Sequence, residues 1–273
     1  MLSGGYDDTT SFTNTVWNFN LKTQKLDVQK SVKQLGYDAA TAFDTENQVG
    51  WYYGGTLDTD AGITNLQDLH RLDRGKGAPT KVKTNPSSPG AVSGGELVCF
   101  ENIGEAGILV LIGGMTSETD IVHVFDIATN TWFTQKTTAQ EKYPSGGTKV
   151  CSVVASAEDN SSHNIYMYGG TSEILILTLP AFHWILVNPT DCLGGTCDIR
   201  QVQGHKCQKV YEKYMVAYRG DDFRNRCDND PVLKKFQGMT IYDMSSLTWT
   251  TKIELENQKY LVPEALYRII GGK

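Results

Sequence analysis

Proline is scarce in this chain, with 8 in 273 residues, and no apolar run is long enough to cross a bilayer. The most apolar window, Ile174 to Val187, is interrupted by Pro180 and His183. It falls short of the ~20 residues a spanning helix needs and reads as a buried strand pair. There is no basic excess either. With 25 basic and 31 acidic residues the net charge is −6, so the chain has no electrostatic footprint for nucleic acid. The start, Met1-Leu2-Ser3-Gly4-Gly5, lacks the basic and apolar regions of a secretory signal. Taken literally the chain is cytoplasmic.

The motifs of common catalysis are missing as well. HExxH, His-x-His, GxSxG and the P-loop do not occur, and the five histidines (His70, His123, His163, His183, His205) form no spacing that suggests a shared metal. The loop acids Asp58, Asp60, Asp221, Asp222, Asp228 and Asp230, with Asn225 and Asn229, lack EF-hand spacing and read as solvated loops. No catalytic residue, cofactor or metal is expected.

What the chain does have is glycine, aromatics and a repeat. Its 27 glycines and 10% aromatic residues sit in a 40% hydrophobic sequence, which excludes disorder. A short apolar strand ending in a glycine pair recurs at Gly4-Gly5, Gly54-Gly55, Gly113-Gly114, Gly169-Gly170 and Gly271-Gly272, with a degraded copy at Arg219-Gly220. In register with it, an aromatic or large apolar residue is followed after six residues by Trp or Leu. The pairs are Phe19 and Leu26, Phe125 and Trp132, Leu177 and Trp184, Tyr242 and Trp249. Between them lies a turn opened by Asn20, Asp126 or Asp243, whose side chain can bond the backbone two residues on. The second unit, with Leu72-Asp73, carries no matching Trp. Each unit reads as four short antiparallel strands, with no convincing helix. Sheets of this size bury both faces only by stacking radially, the β-propeller solution.

The glycine pair with the spaced aromatic and Trp resembles the kelch repeat, and the resemblance runs from Gly4 to Gly272. Strings such as Glu105 to Gly114, Val124 to Trp132, Ser156 to Tyr166 and Lys259 to Tyr267 are similar to fungal kelch-repeat proteins of the secretory pathway. The resemblance implies an all-β kelch-type propeller of about five blade equivalents in a single domain. The divisions are a partial blade at 1–30, blades at about 31–84, 85–138, 139–188 and 189–253, and terminal strands at 254–273. It implies a secreted or cell-surface scaffold that binds a protein or carbohydrate and is often membrane-anchored in relatives, and the chain reads as a partial or shortened product. Residues 261–272 are expected to pair with the strand around Val16 to Phe19 and to bury Ile269 and Ile270. The fold also resembles the propeller of galactose oxidase, so a copper-radical oxidoreductase is the alternative; a cytosolic kelch scaffold is another.

Two further features bear on compartment. Cys99 and Cys151 lie mid-strand and read as buried thiols. Cys192, Cys197, Cys207 and Cys227 cluster without a CxxC, which favours disulfides over zinc. Three connectivities stay open, with Cys207–Cys227 the preferred pair. Asn160-Ser161-Ser162 is the only Asn-X-Ser/Thr acceptor without proline at X, a candidate glycosylation site in an exposed turn.

Overall fold

The structure is a computed structural model and describes residues 2–3, 16–20, 23–29, 36–59, 61–76, 78–85, 89–114, 120–141, 143–144, 150–169, 171–187, 202–204, 206–218, 221–222 and 239–271. These form two compact units, Met1–Gln135 and Lys136–Lys273.

The first unit carries strands β1 (Leu2–Ser3), β2 (Val16–Asn20), β3 (Lys25–Gln29), β4 (Ala40–Asp44), β5 (Val49–Tyr53), β6 (Thr56–Thr59), β7 (Gly62–Asn65), β8 (Leu69–Asp73), β9 (Thr80–Lys81), β10 (Glu96–Phe100), β11 (Ile108–Ile112), β12 (Ile121–Asp126) and β13 (Thr131–Lys136). Two of its sheets are four-stranded, in the orders β4-β5-β8-β9 and β10-β11-β12-β13. A three-stranded sheet β1-β2-β3 precedes them, and β6-β7 forms a separate hairpin between the second and third strands of its blade.

The second unit carries β14 (Thr138–Ala139), β15 (Cys151–Ser156), β16 (His163–Gly169), β17 (Thr171–Leu179), β18 (His183–Val187), β19 (Val202–Gln203), β20 (Lys206–Val210), β21 (Tyr214–Tyr218), β22 (Asp221–Asp222), β23 (Met239–Asp243), β24 (Thr248–Thr250) and one helix, α1 (Glu264–Ile270). The sheets run β14-β18-β17-β16-β15 and β20-β21-β23-β24, with β19 paired to β22. The added strand β14 joins parallel to β18. The architecture is all-β, built of four antiparallel blades taken in sequence order.

Local chemistry explains the blades. The glycine strands β5, β11 and β16 are buried along nearly their whole length, as strands covered on both faces should be, whereas β15 alternates buried and half-buried positions. The turns are cut to one pattern. Asp126 Oδ1 accepts the Ala128 amide at 2.9 Å, and Asp243 Oδ1 accepts the Ser245 and Ser246 amides. Four residues after each turn-opening Asn or Asp comes a left-handed residue, as at Gln24, Gln48, Asn130 and Leu247. At Gly54, with φ +67°, a Cβ would sit 2.2 Å from the Val92 carbonyl oxygen. Only glycine lets the segment entering the next blade pass this close.

The C-terminal segment departs from the repeat. Residues 264–270 form a helix rather than a glycine strand, and Ile269 is exposed while Ile270 is only partly buried. Pro263 fixes the N-terminal φ at −59°, Glu264 and Arg268 pair one turn apart, and Leu266 is buried. An amphipathic turn thus outcompetes the strand that Leu-Tyr-Arg-Ile-Ile-Gly-Gly suggests. The strand β2 proposed as its partner pairs instead with β1 and β3.

Candidate functional site

The repeat residues build packing. The seven-residue step places each pair directly opposite across a hairpin, as in Leu177 with Trp184, Tyr242 with Trp249 and, by backbone register, Phe19 with Leu26. Phe125, Trp132, Leu177, Trp184, Tyr242 and Trp249 are all buried. In the first unit Trp132 lies 5.0 Å from Phe125 and 5.2 Å from Tyr53, which immediately precedes Gly54 on the neighbouring blade. In the second unit Trp249 lies 5.0 Å from Tyr242 and 5.0 Å from Tyr168, the residue before Gly169. Trp132 and Trp249 are thus each wedged against the glycine strand of the blade before, near edge-on, the geometry that aromatic quadrupoles favour. Trp184 donates its Nε1–H to Thr137 Oγ1 at 3.1 Å. Gly55, Gly113, Gly114 and Gly271 take positive φ as well, and Gly169 does at the end of β16. Gly4, Gly5, Gly170, Gly272, Cys192, Cys197, Cys227 and His205 lie outside the described residues.

The cysteine expectation is corrected. Cys207 is bonded to Cys151, not to Cys227, and Cys151 is therefore not a free thiol. Their strands β15 and β20 open two successive blades and bring the Cα atoms within 5.4 Å, inside the range a disulfide spans. Cys99 stays a thiol, and burial, with Asp44 and Glu101 nearby, pushes it up to about 12. It is a poor nucleophile at neutral pH.

A second feature was not visible in the repeat. The segment after β24 docks on the second unit through Tyr260, which is 3% exposed, and through Leu266, with Val262 and Ile270 packed alongside. The Tyr260 hydroxyl accepts Asn164 Nδ2–H at 3.1 Å and shares a 2.9 Å hydrogen bond with the Tyr166 hydroxyl. The Tyr166 hydroxyl also contacts the Met244 carbonyl at 2.9 Å. Burial pushes the Tyr260 phenol up to about 12, against the Tyr166 and Asn164 hydrogen bonds that lower it. Tyr166 is driven well above the ordinary tyrosine range, first by burial and then by Tyr260. This cluster is a neutral anchor. An Asn two residues before a Tyr on a glycine strand, with Lys259-Tyr260 in the tail, is the signal it leaves in the sequence.

The described histidines make separate contacts. His70 is buried on β8, His163 pairs with Ser156 Oγ at 2.8 Å, His183 with Thr138 Oγ1 at 2.7 Å and His123 with Thr134 Oγ1 at 3.4 Å. Burial lowers the pKa of His70 and of His163. Among the described residues no three His, Cys, Asp or Glu side chains group as metal ligands. Lys213 and Asp243 form a 3.0 Å ion pair beneath the β23–β24 turn, with side chains 7% and 14% exposed. Asp243 also caps that turn, so the pair holds a loop in place. Of the loop acids, Asp58 belongs to the β6–β7 hairpin and Asp221 and Asp222 form β22.

Four-stranded antiparallel blades, glycine pairs closing their second strands and a Trp set against the preceding blade decide the class. The fold is a kelch-type β-propeller. Sequence comparison agrees with it. The chain is 27% identical over 291 aligned residues to a protein named Kelch repeat-containing protein from Arthroderma benhamiae, an alignment covering 82% of this chain and 41% of that protein. The chain thus spans less than half the length of the curated relative it matches. No protein-family model matches it. Among the described residues no helix of this kelch fold is long and apolar enough to cross a membrane.

Proposed function

We propose that the chain is a non-catalytic kelch scaffold that presents its inter-strand loops to a protein ligand in an oxidising, extracytoplasmic compartment. The observation that carries the binding role is the division of labour in the blades. Phe125, Trp132, Trp184, Tyr242 and Trp249 are spent on packing, while the β6–β7 hairpin stands out of its blade with Ile63 70% exposed. A rigid frame with variable loops is what recognition uses. The Cys151–Cys207 bond supports the compartment, because such bonds persist where thiols are not kept reduced. The likeness to a kelch repeat-containing protein supports the scaffold reading at the level of family resemblance.

The test is affinity capture of secreted and cell-surface proteins on the immobilised chain, followed by titration of the purified ligand against wild type and Ile63→Asp. Saturable binding weakened by the hairpin variant supports the reading; binding only to a glycan array would move it to carbohydrate. Bound copper together with peroxide release from primary alcohols would overturn it in favour of an oxidase. Free thiols at Cys151 and Cys207 in protein from its own cells would favour a cytosolic scaffold.

A further inference from the structure

We propose that Asn160 carries an N-linked glycan. The inference rests on the extracytoplasmic reading, since the transfer occurs only on exported chains. In the reaction Asn160 Nδ2 bonds to the anomeric carbon of a lipid-diphosphate-linked oligosaccharide. The lipid diphosphate leaves with the electrons of its C–O bond, and Nδ2 gives up one proton. The acceptor needs a hydroxyl two residues on, and Ser162 supplies it.

The structure places this triplet in the hairpin turn between β15 and β16. The Ala157 amide donates to the Ser162 carbonyl at 2.9 Å, the Asn160 amide to the Ala157 carbonyl at 2.9 Å, and the Ser161 amide to Asp159 Oδ1 at 3.0 Å. These bonds tie down the backbone, and Asn160 and Ser161 are exposed. Asn160 adopts φ +57°, a conformation asparagine tolerates better than most residues. The turn therefore holds its shape whatever is attached to the amide. The contrast is Asn85, in Asn85-Pro86-Ser87. Proline blocks that triplet, and its Oδ1 is already used by the Trp132 amide at 3.3 Å.

A consequence follows for binding. The turn is fastened to the C-terminal segment by the Lys259–Glu158 ion pair at 2.5 Å, both side chains exposed. A glycan beside this pair would screen that end of the blade from a protein partner and leave docking to other loops.

The experiment uses the full chain from its own cells. The peptide containing Asn160 is measured by mass spectrometry before and after peptide-N-glycosidase in heavy-oxygen water, and the Cys151–Cys207 peptide is mapped in the same sample. A glycan mass lost on digestion, with Asn160 converted to labelled Asp, is the expected result. Ser162→Ala, which keeps the backbone bonds of the turn, should abolish the glycan, and Ser162→Thr should retain it. A bonded Cys151–Cys207 pair with unmodified Asn160 would overturn the site and leave the compartment standing. Free thiols with unmodified Asn160 would overturn both.

Discussion

The two units solve the same packing problem and then fasten the solution differently. In both, a blade Trp is clamped between its own hairpin partner and the tyrosine that precedes the neighbouring glycine pair: Tyr53–Trp132–Phe125 in one, Tyr168–Trp249–Tyr242 in the other. The first unit adds polar stitches. Glu101 on one blade accepts from the Thr45 hydroxyl at 2.6 Å and from the Thr45 amide, and the Tyr53 hydroxyl donates to the Pro89 carbonyl. The second unit adds a covalent bond between successive blades and a docked tail. The repeat encodes the shared apolar wedge, whereas each interface acquires its own fastening.

The strongest way to break the comparison is to remove the wedge from each side. Trp132→Ala and Trp249→Ala should each cost about 3–5 kcal/mol in denaturant titration, because each leaves a cavity the rigid sheets cannot close. The two costs should be similar. A cost below about 1 kcal/mol for either would show that its stack is not the main packing contact of that interface.

Next comes the fastening that separates the units. The Cys151–Cys207 bond closes a sequence separation of 56 residues. Cys207→Ser should cost about 2–4 kcal/mol through the unfolded state. Hydrogen exchange should quicken in β15, β16, β20 and β21, with peptides of β4 to β13 unchanged. Equal loosening of both units would show that the bond does not act locally.

These two experiments also mark what could be read from the sequence. Phe125, Trp132, Tyr242 and Trp249 were legible because a hairpin with a four-residue turn converts a seven-residue step into a cross-strand pair. Cys151 with Cys207 was not, because their pairing depends on how two first strands adjoin, whereas Cys227 lies in the long stretch of sequence that follows the next strand of the same unit. The helix α1 was hidden for a related reason. Ile269-Ile270-Gly271-Gly272 follows the pattern of the glycine strand, one residue away from Leu111-Ile112-Gly113-Gly114, and what decides against it is local: Pro263, the Glu264–Arg268 pair and a place for Leu266. Tyr260 was missed because no repeat position corresponds to it.

A smaller effect tests the docked tail. Tyr260→Phe keeps the ring but deletes the hydroxyl that Asn164 Nδ2 and Tyr166 share. Asn164 is fully buried, and its Oδ1 already lacks a partner among the described residues. Stranding its amide as well should cost about 1–3 kcal/mol. Protease sensitivity should rise at residues 251–271 before it rises in the blades. Loss confined to the blades, with the tail still protected, would show that Tyr260 is not what anchors it.

The smallest expected effect is on pH, and it separates the units by the neighbours of one histidine each. His70 and His163 both have their pKa lowered, first of all by burial. In the unfolded chain an imidazole titrates near about 6.5. Between that value and the lower folded ones the unfolded state binds more protons. Stability therefore falls as the pH drops through about 6.5 and levels off below the folded values. His163→Gln should flatten the loss measured between about pH 7.5 and about pH 5.5 in the second unit, and His70→Gln should do so in the first. The two sites differ in what surrounds them. Asp68 opposes the lowering at His70 and Lys81 adds to it, and these two side chains are themselves paired at 2.8 Å. Asp68→Asn removes the raising charge and leaves the lowering one, so the acid loss of the first unit should deepen. His163 is lowered by burial, and Asp68 belongs to the first unit, so the second unit should not respond. An unchanged or shallower acid profile in the first unit, read by hydrogen exchange of β8 and β9 in the Asp68→Asn chain, would show that Asp68 does not support the protonated form of His70.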